Sequence, residues 1–183
     1  MSSRAAEIEY RLPAEFKPAN IVICGKYSQK LNLERVCERS HRLEYNPESF
    51  PGIVFRSRCC FLIFGSGAIT VTGIKDVRDF RLDMADLERI TGLELQPVEW
   101  EIKNSTASTK LGPTAHKELQ DHPSGEYAPE SGPHVIVRIK DGLRCTLVVT
   151  KTGHCYVTGL KSRRQAEELL ALLRSWGYTP KVA

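Results

Sequence analysis

The sequence predicts an α+β fold built twice, each copy an antiparallel sheet with helices on one face. Three observations predict it. Residues 44–51 read EYNPESFP and residues 126–133 read EYAPESGP, identical at six of eight positions at an offset of 82. Each copy then runs through the same meander, GIVFRSR and CCFLIFGSGAITVTGIK in the first, HVIVRIK and RCTLVVTKTGHCYVTGLK in the second. Each meander ends at V-T-G and passes into a helical period. A shared order of features over about 80 residues marks duplication.

The elements follow from period and punctuation. In the first copy, residues 19–27 (ANIVICGKY) alternate as a strand. Residues 31–41 carry apolar positions at Leu31, Leu33, Val36 and Cys37 and predict a helix. Asn46 and Pro47 mark a turn, since a residue before proline avoids the helical region. Residues 52–58, 60–65 and 68–74 form the meander, with a hairpin at Gly65, Ser66 and Gly67. Asp76 caps a helix that runs to about Ile90 and stops at Thr91 and Gly92. The second copy repeats this order. It has strands at 98–104, 134–140, 144–150 and 154–160, a short helix from Pro113, and a helix over 162–176. Ser162 caps that last helix, and Ala166, Leu169, Leu170, Leu173 and Trp176 form its buried stripe. Residues 105–126 are the least regular part and are expected to be a mobile loop. The resulting domains are a tail over 1–17, a first repeat over 18–93 and a second over 94–183. A sheet covered by helices on one face leaves the other bare, so that face is either polar or a binding surface.

Composition narrows the function. The chain has 183 residues, 41% hydrophobic and 26% charged, which fits a soluble globular protein. A net charge of +4 is compatible with a nucleic-acid partner and does not require one. The six cysteines form no C-x-x-C pair and the five histidines no H-x-x-x-H pair, so no metal site or disulfide framework is indicated. The first ten residues are polar and charged, unlike a secretory leader, and no apolar run approaches the ~20 residues a membrane span needs. No phosphate loop or acid–base pair is present, and no enzyme or cofactor is expected. Asp76, Asp79, Asp83 and Asp86 share one helical face by spacing. They read as an N-cap followed by a solvated acidic face beside the stripe of Val77, Phe80, Met84 and Leu87.

The order N-I-V, E-Y-N-P-x-x-F, L-I-F-x-S-G and V-T-G-x-K resembles the TATA-box-binding protein family over residues 18–183. The resemblance implies a pseudo-twofold saddle, a ten-stranded antiparallel sheet with helices on its convex face. It also implies a transcription-initiation factor acting on promoter DNA in the nucleus or at a viral transcription site. In the family's established mode, the concave sheet fills a widened minor groove and phenylalanine pairs wedge open base steps.

Carried over by position, Asn20 and Asn104 match the family's paired asparagines and Thr72 and Thr158 its paired threonines. Val22, Leu62, Thr70, Thr106 and Val148 are their groove-facing neighbours. Phe50 and Phe64 match one wedging pair. Gly132 and Thr150 stand at the other, where no ring can intercalate unless Tyr156 substitutes. Arg56 and Arg138 are the phosphate candidates. Glu48 and Ser49 replace two usual basic residues, Ala68 replaces a usual lysine, and the turn between Arg58 and Phe61 is shortened. Fewer phosphate contacts imply weaker binding and a shallower salt dependence, and selectivity below that of a typical member is expected. Tyr127 and Glu130 lie in the segment resembling the surface that contacts other initiation factors, among them the factor that recruits the RNA polymerase machinery. Arg163 and Arg164 lie on the outer helix. The alternative is an interaction scaffold of an initiation complex that has largely lost DNA binding. The fold also serves as a module in some glycosylases and nucleases, but beside a catalytic domain for which this chain has no room.

Overall fold

The structure, a computed structural model, describes residues 8–93 and 99–183. Most of the tail's first residues and the repeat boundary at 94 lie outside the described residues. Two compact units emerge by packing. One contains Asn20–Lys103, the other Asn104–Ala183 together with Tyr10–Ala19.

The first half contains β1 (Lys17–Lys26), α1 (Leu33–Cys37), β2 (Leu43–Glu44), β3 (Gly52–Arg56), β4 (Cys60–Phe64), β5 (Ala68–Ile74) and α2 (Val77–Thr91). Its strands lie in the order β2-β3-β4-β5-β1, with antiparallel pairing throughout. Alternation sends Ile53, Phe55, Phe61, Ile63, Ile69 and Val71 to one buried face. There they meet Val77, Phe80, Met84 and Leu87 of α2, the stripe the sequence predicts. Phe80 stacks on Phe61 at 6.1 Å and meets Trp100 edge-on at 5.0 Å. The Trp100 ring lies so close to Gly25 that a Cβ there would be 2.6 Å from it, so only glycine fits. Asp76 caps α2 by accepting from the Arg78 N–H at 2.9 Å, and left-handed Gly92 ends it, both as expected.

Two expectations for this half are corrected. The helix over 31–41 shrinks to five residues, capped by Asn32 and closed by three-residue turns to Val36 and Cys37. Only Leu33 and Val36 find buried sites, too little apolar contact to carry a longer helix. The acidic face of α2 is solvated only at Asp76 and Asp79. Asp83 is fully buried and accepts from the Cys59 N–H and from Arg58 Nη1, both at 2.8 Å. Asp86 is held by Arg42 at 2.6 Å and by Arg89, and these donors lower its pKa. The short turn at 57–59 presents a backbone N–H to the helix, and a carboxylate is what meets it.

The second half contains β6 (Glu99–Lys110), which begins in the first unit, α3 (Ala115–Gln120), β7 (Gly125–Tyr127), β8 (Val135–Ile139), β9 (Cys145–Val149), β10 (His154–Leu160), α4 (Arg163–Ser175) and β11 (Lys181–Val182). The strand order is β6-β10-β9-β8-β7, with β11 added on β6. Its core joins Val135, Val137, Leu147, Val149 and Val157 to Ala166, Leu169, Leu170 and Leu173 of α4. Ser162 caps α4 as expected, and Trp176 is half-buried against the His122 ring at 4.4 Å.

The expected loop over 105–126 is largely ordered: β6 continues to Lys110, and α3 and β7 follow. The run NSTASTK hides a strand because three of its four buried positions, Ser105, Ser108 and Thr109, are hydroxylated. Two of these hydroxyls have distant partners, Tyr10 for Ser105 at 2.6 Å and the Lys181 carbonyl for Thr109 at 2.9 Å. Satisfied in this way, polar side chains can occupy a covered sheet face.

Asp83→Ala strands the Cys59 N–H and is expected to lower unfolding stability by about 2 kcal/mol. Asp79→Ala, on the exposed side, should stay within ~0.5 kcal/mol. Urea denaturation of the two variants checks this.

Candidate nucleic-acid interface

Each half-sheet has a second face with no helix on it. In the first half the residues alternating with the core are Asn20, Val22, Cys24, Val54, Cys60, Leu62, Phe64, Thr70 and Thr72, all half-buried. Their register is tight: Val54 pairs with Leu62, Leu62 with Thr70, Cys60 with Thr72, and Thr70 with Cys24. In the second half Thr106, Arg138, Thr146, Val148, Tyr156 and Thr158 occupy the matching face. Tyr156 pairs with Val148, Thr158 with Thr146 and with Thr106, and Arg138 with Thr146. The structure therefore brings the sequence-predicted groove residues onto one bare face in each half.

The asparagines share one geometry. The β1–β5 ladder shifts register between Ile21 and Ile23, and the β6–β10 ladder between Thr158 and Leu160. At each shift a glycine adopts positive φ, 77° at Gly73 and 98° at Gly159. The freed backbone N–H is taken by asparagine Oδ1, from Gly73 to Asn20 at 2.8 Å and from Gly159 to Asn104 at 2.9 Å. An oxygen pinned by an N–H donor fixes which way the amide points. Its NH2 group is left without a protein partner among the described residues and offers two donors.

The ends of the two faces differ. Phe50 and Phe64 sit with ring centroids 5.6 Å apart and planes tilted by 59°. Phe50 also lines a shallow groove of about 460 Å³ with Tyr45, Val54 and Leu62. In the second half, Gly132 has no side chain, and Thr150 Oγ1 bonds Thr152 at 2.9 Å and accepts from the His154 N–H. Tyr156 is 44% exposed but sits opposite Val148, one ladder step inside the position matching Phe64.

Both arginine candidates are engaged. Arg56 pairs with Glu44 at 2.5 Å and Arg138 with Glu126, each glutamate lying on the neighbouring strand. Both glutamates open the repeated motif, which does not by itself show their pairing with the arginines. Sequence reasoning missed Cys24, Val54, Cys60, Ile136 and Thr146 on the open faces, although each lies two residues along a strand from a named position. Of the partner candidates, Tyr127 packs edge-on to His116 at 5.5 Å, and Glu130 is exposed in a turn. Arg163 and Arg164 pair with Glu167 and Glu168 one turn along α4, at 2.7 and 2.9 Å. Among the described residues no cluster of histidine, cysteine or acidic side chains could hold a metal.

A bare, ordered sheet face repeated in two halves defines a surface-binding protein rather than one that encloses a substrate. The family described as "Transcription factor TFIID (or TATA-binding protein, TBP)" matches residues 15–90 and 99–174. The TATA-box-binding protein of Methanosphaera stadtmanae is 34% identical over 161 residues, 83% of this chain and 87% of that protein. That of Thermococcus celer is 33% identical, covering 84% and 86% respectively. The solved structure of Methanococcus jannaschii TBP superposes with a TM-score of 0.74 at 28% identity, over 86% of this chain and 95% of that one. The chain belongs to the TATA-binding protein family. It shares that family's fold class, as the resemblance implied, and the family is one of transcription factors rather than enzymes.

The cysteines separate the two faces. Burial pushes the Cys59 thiol up to about 12, Cys145 to about 11 and Cys155 to about 12. At pH 8 a thiol reagent should label half-buried Cys24, Cys37 and Cys60 and leave these three until the protein unfolds. Their raised pKa values also favour the fold below the ordinary thiol value of 9.0, and that contribution should fade as pH rises towards 12. Mass spectrometry after pulsed alkylation, and denaturation at pH 8 and 10.5, check both.

Proposed function

We propose that this chain is a transcription-initiation factor that holds promoter DNA by the minor groove through its open sheet faces. The carrying observation is the pair of asparagine amides, locked by Gly73 and Gly159 with their donors outward. The minor groove of A·T pairs offers only acceptors, adenine N3 and thymine O2. A fixed donor on each open face is the complement. The relatives named TATA-box-binding proteins support the same reading.

In this reading Val22, Leu62, Thr70, Thr72, Thr106, Val148, Tyr156 and Thr158 line the groove, and Phe50 and Phe64 wedge one base step. Unstacking a step costs a few kcal/mol and is repaid by contact on bent DNA, so wedging from one half alone bends the duplex less. Arg56 and Arg138 reach phosphates only by leaving Glu44 and Glu126, which makes binding weaker and flattens its salt dependence. Tyr127, Glu130, Arg163 and Arg164 are the surface offered to other initiation factors. The site of action is wherever promoter DNA lies. The sequence suggested a nucleus or a viral transcription site; the relatives cited above are archaeal.

A second reading, a scaffold with weak or no sequence-specific DNA binding, is favoured by the two neutralised arginines and the missing second ring pair.

A TATA-containing duplex labelled at both ends, compared with a G·C duplex, separates them. Wild type is expected to bind the first in a salt-sensitive way and shorten its end-to-end distance. Phe50→Ala with Phe64→Ala should lose the shortening, and bound DNA should shield Cys24 and Cys60 from alkylation. No salt-sensitive binding to either duplex leaves the scaffold.

A further inference from the structure

We propose that the open face of the second half accepts G·C pairs where that of the first half requires A·T, so the preferred DNA site is asymmetric. The proposal rests on the minor-groove reading above and adds to it the chemistry of each half-site.

Matched ladder positions carry the argument. Val22 of the first half corresponds to Thr106 of the second, Cys60 to Thr146, and Phe64 to Thr150. Thr70, opposite Leu62, corresponds to Tyr156, opposite Val148. At three of these places an apolar or thiol side chain gives way to a hydroxyl, and at the fourth a short hydroxyl gives way to an exposed phenol.

The number of acceptors differs as well. The first half has two hydroxyls, Thr70, whose Oγ1 lies 3.5 Å from Cys24 Sγ, and Thr72, which donates to Asn20 Oδ1 at 3.5 Å. In the second half the hydroxyls of Thr106, Thr146, Tyr156 and Thr158 meet no protein partner among the described residues. Tyr156, at 44% exposure, stands furthest into solvent.

The chemical consequence follows from base edges. A G·C pair differs from A·T in the minor groove by one donor, the guanine N2 amino group. Pressed against an apolar face, that amino group loses water and gains no acceptor, which is unfavourable. A hydroxyl oxygen keeps lone pairs free and can accept from it. The second half also has no ring pair to drive a kink, so it makes less demand on the easily deformed steps that A·T-rich DNA supplies.

The test uses four duplexes: A·T throughout, G·C in one half-site, the same with inosine·cytosine replacing G·C, and G·C in both halves. Inosine removes only the N2 amino group. Wild type is expected to bind the half-G·C duplex at least as tightly as the all-A·T one. The inosine version should bind about three- to tenfold more weakly than half-G·C, the value of one hydrogen bond. G·C in both halves should weaken binding further. In Tyr156→Phe with Thr146→Val the ratio between inosine and guanine duplexes should fall to near one, whatever the absolute affinity. If the all-A·T duplex is bound and the half-G·C duplex rejected, minor-groove binding stands and this inference fails. A guanine preference that persists in the double variant overturns it too. If no duplex is bound, the DNA reading itself falls and this inference falls with it.

Discussion

A backbone N–H with nowhere to go sets the geometry of each half. Where the β1–β5 and β6–β10 ladders slip register, the glycine N–H turns out of the sheet. Left unmet, such a group is costly, and a bulge of this kind also sharpens the local twist. An asparagine on the neighbouring strand meets it in both halves. The requirement explains the residue type closely. Aspartate would satisfy the glycine but turn an acceptor to the surface, and an aliphatic side chain would leave the N–H open. Only the amide closes the bulge and presents a donor at once. The bond that stabilises the sheet is therefore the bond that orients the proposed recognition group.

The halves have kept their cores alike and let two other regions drift. One is the contact between the long helix and the turn that joins β3 to β4, or β8 to β9 in the second half. Counting from the caps Asp76 and Ser162, the place of Asp83 on α2 is taken by Leu169 on α4. The first half pins a tight turn with a buried carboxylate. The second has a longer turn with Arg144 at φ 47° and holds it by a hydrogen bond from the Gln165 side-chain amide to the Leu143 carbonyl. The other region is the open face, where ring and aliphatic positions of the first half become hydroxyls in the second. Drift on a covered face is limited by packing. Drift on the bare face is limited only by what the face must touch.

Much of this was legible in the sequence because the relevant signals are local. Asp76, Gly92 and Ser162 bound their helices through neighbours one turn away, and strict alternation marks 68–74 and 154–160. The strand at NSTASTK was not legible, because its polar inward positions are satisfied by Tyr10 and Lys181, 95 and 72 residues away along the chain. Asp83 was misread for a related reason. Spacing puts it on the charged side of the helix, and only the fold brings Cys59 and Arg58 against it. On the open faces, resemblance named most of the residues and alternation supplies the rest. The pairing of Arg56 with Glu44 needed the register of β2 against β3, which a two-residue strand does not announce.

Those ion pairs separate two effects that a binding constant alone would merge. A phosphate reaching Arg56 must displace a carboxylate, and the displaced carboxylate remains beside the duplex to repel it. The electrostatic gain is a difference, and it is smaller for every sequence alike because phosphates carry no base information. Its signature is the salt slope. The missing ring pair acts otherwise: it removes a demand for deformable steps in one half-site and so relaxes discrimination without touching charge. On the proposed minor-groove reading, affinity and selectivity thus answer to different structural features, Glu44 and Glu126 for the first, Gly132 and Thr150 for the second. Restoring one would not restore the other.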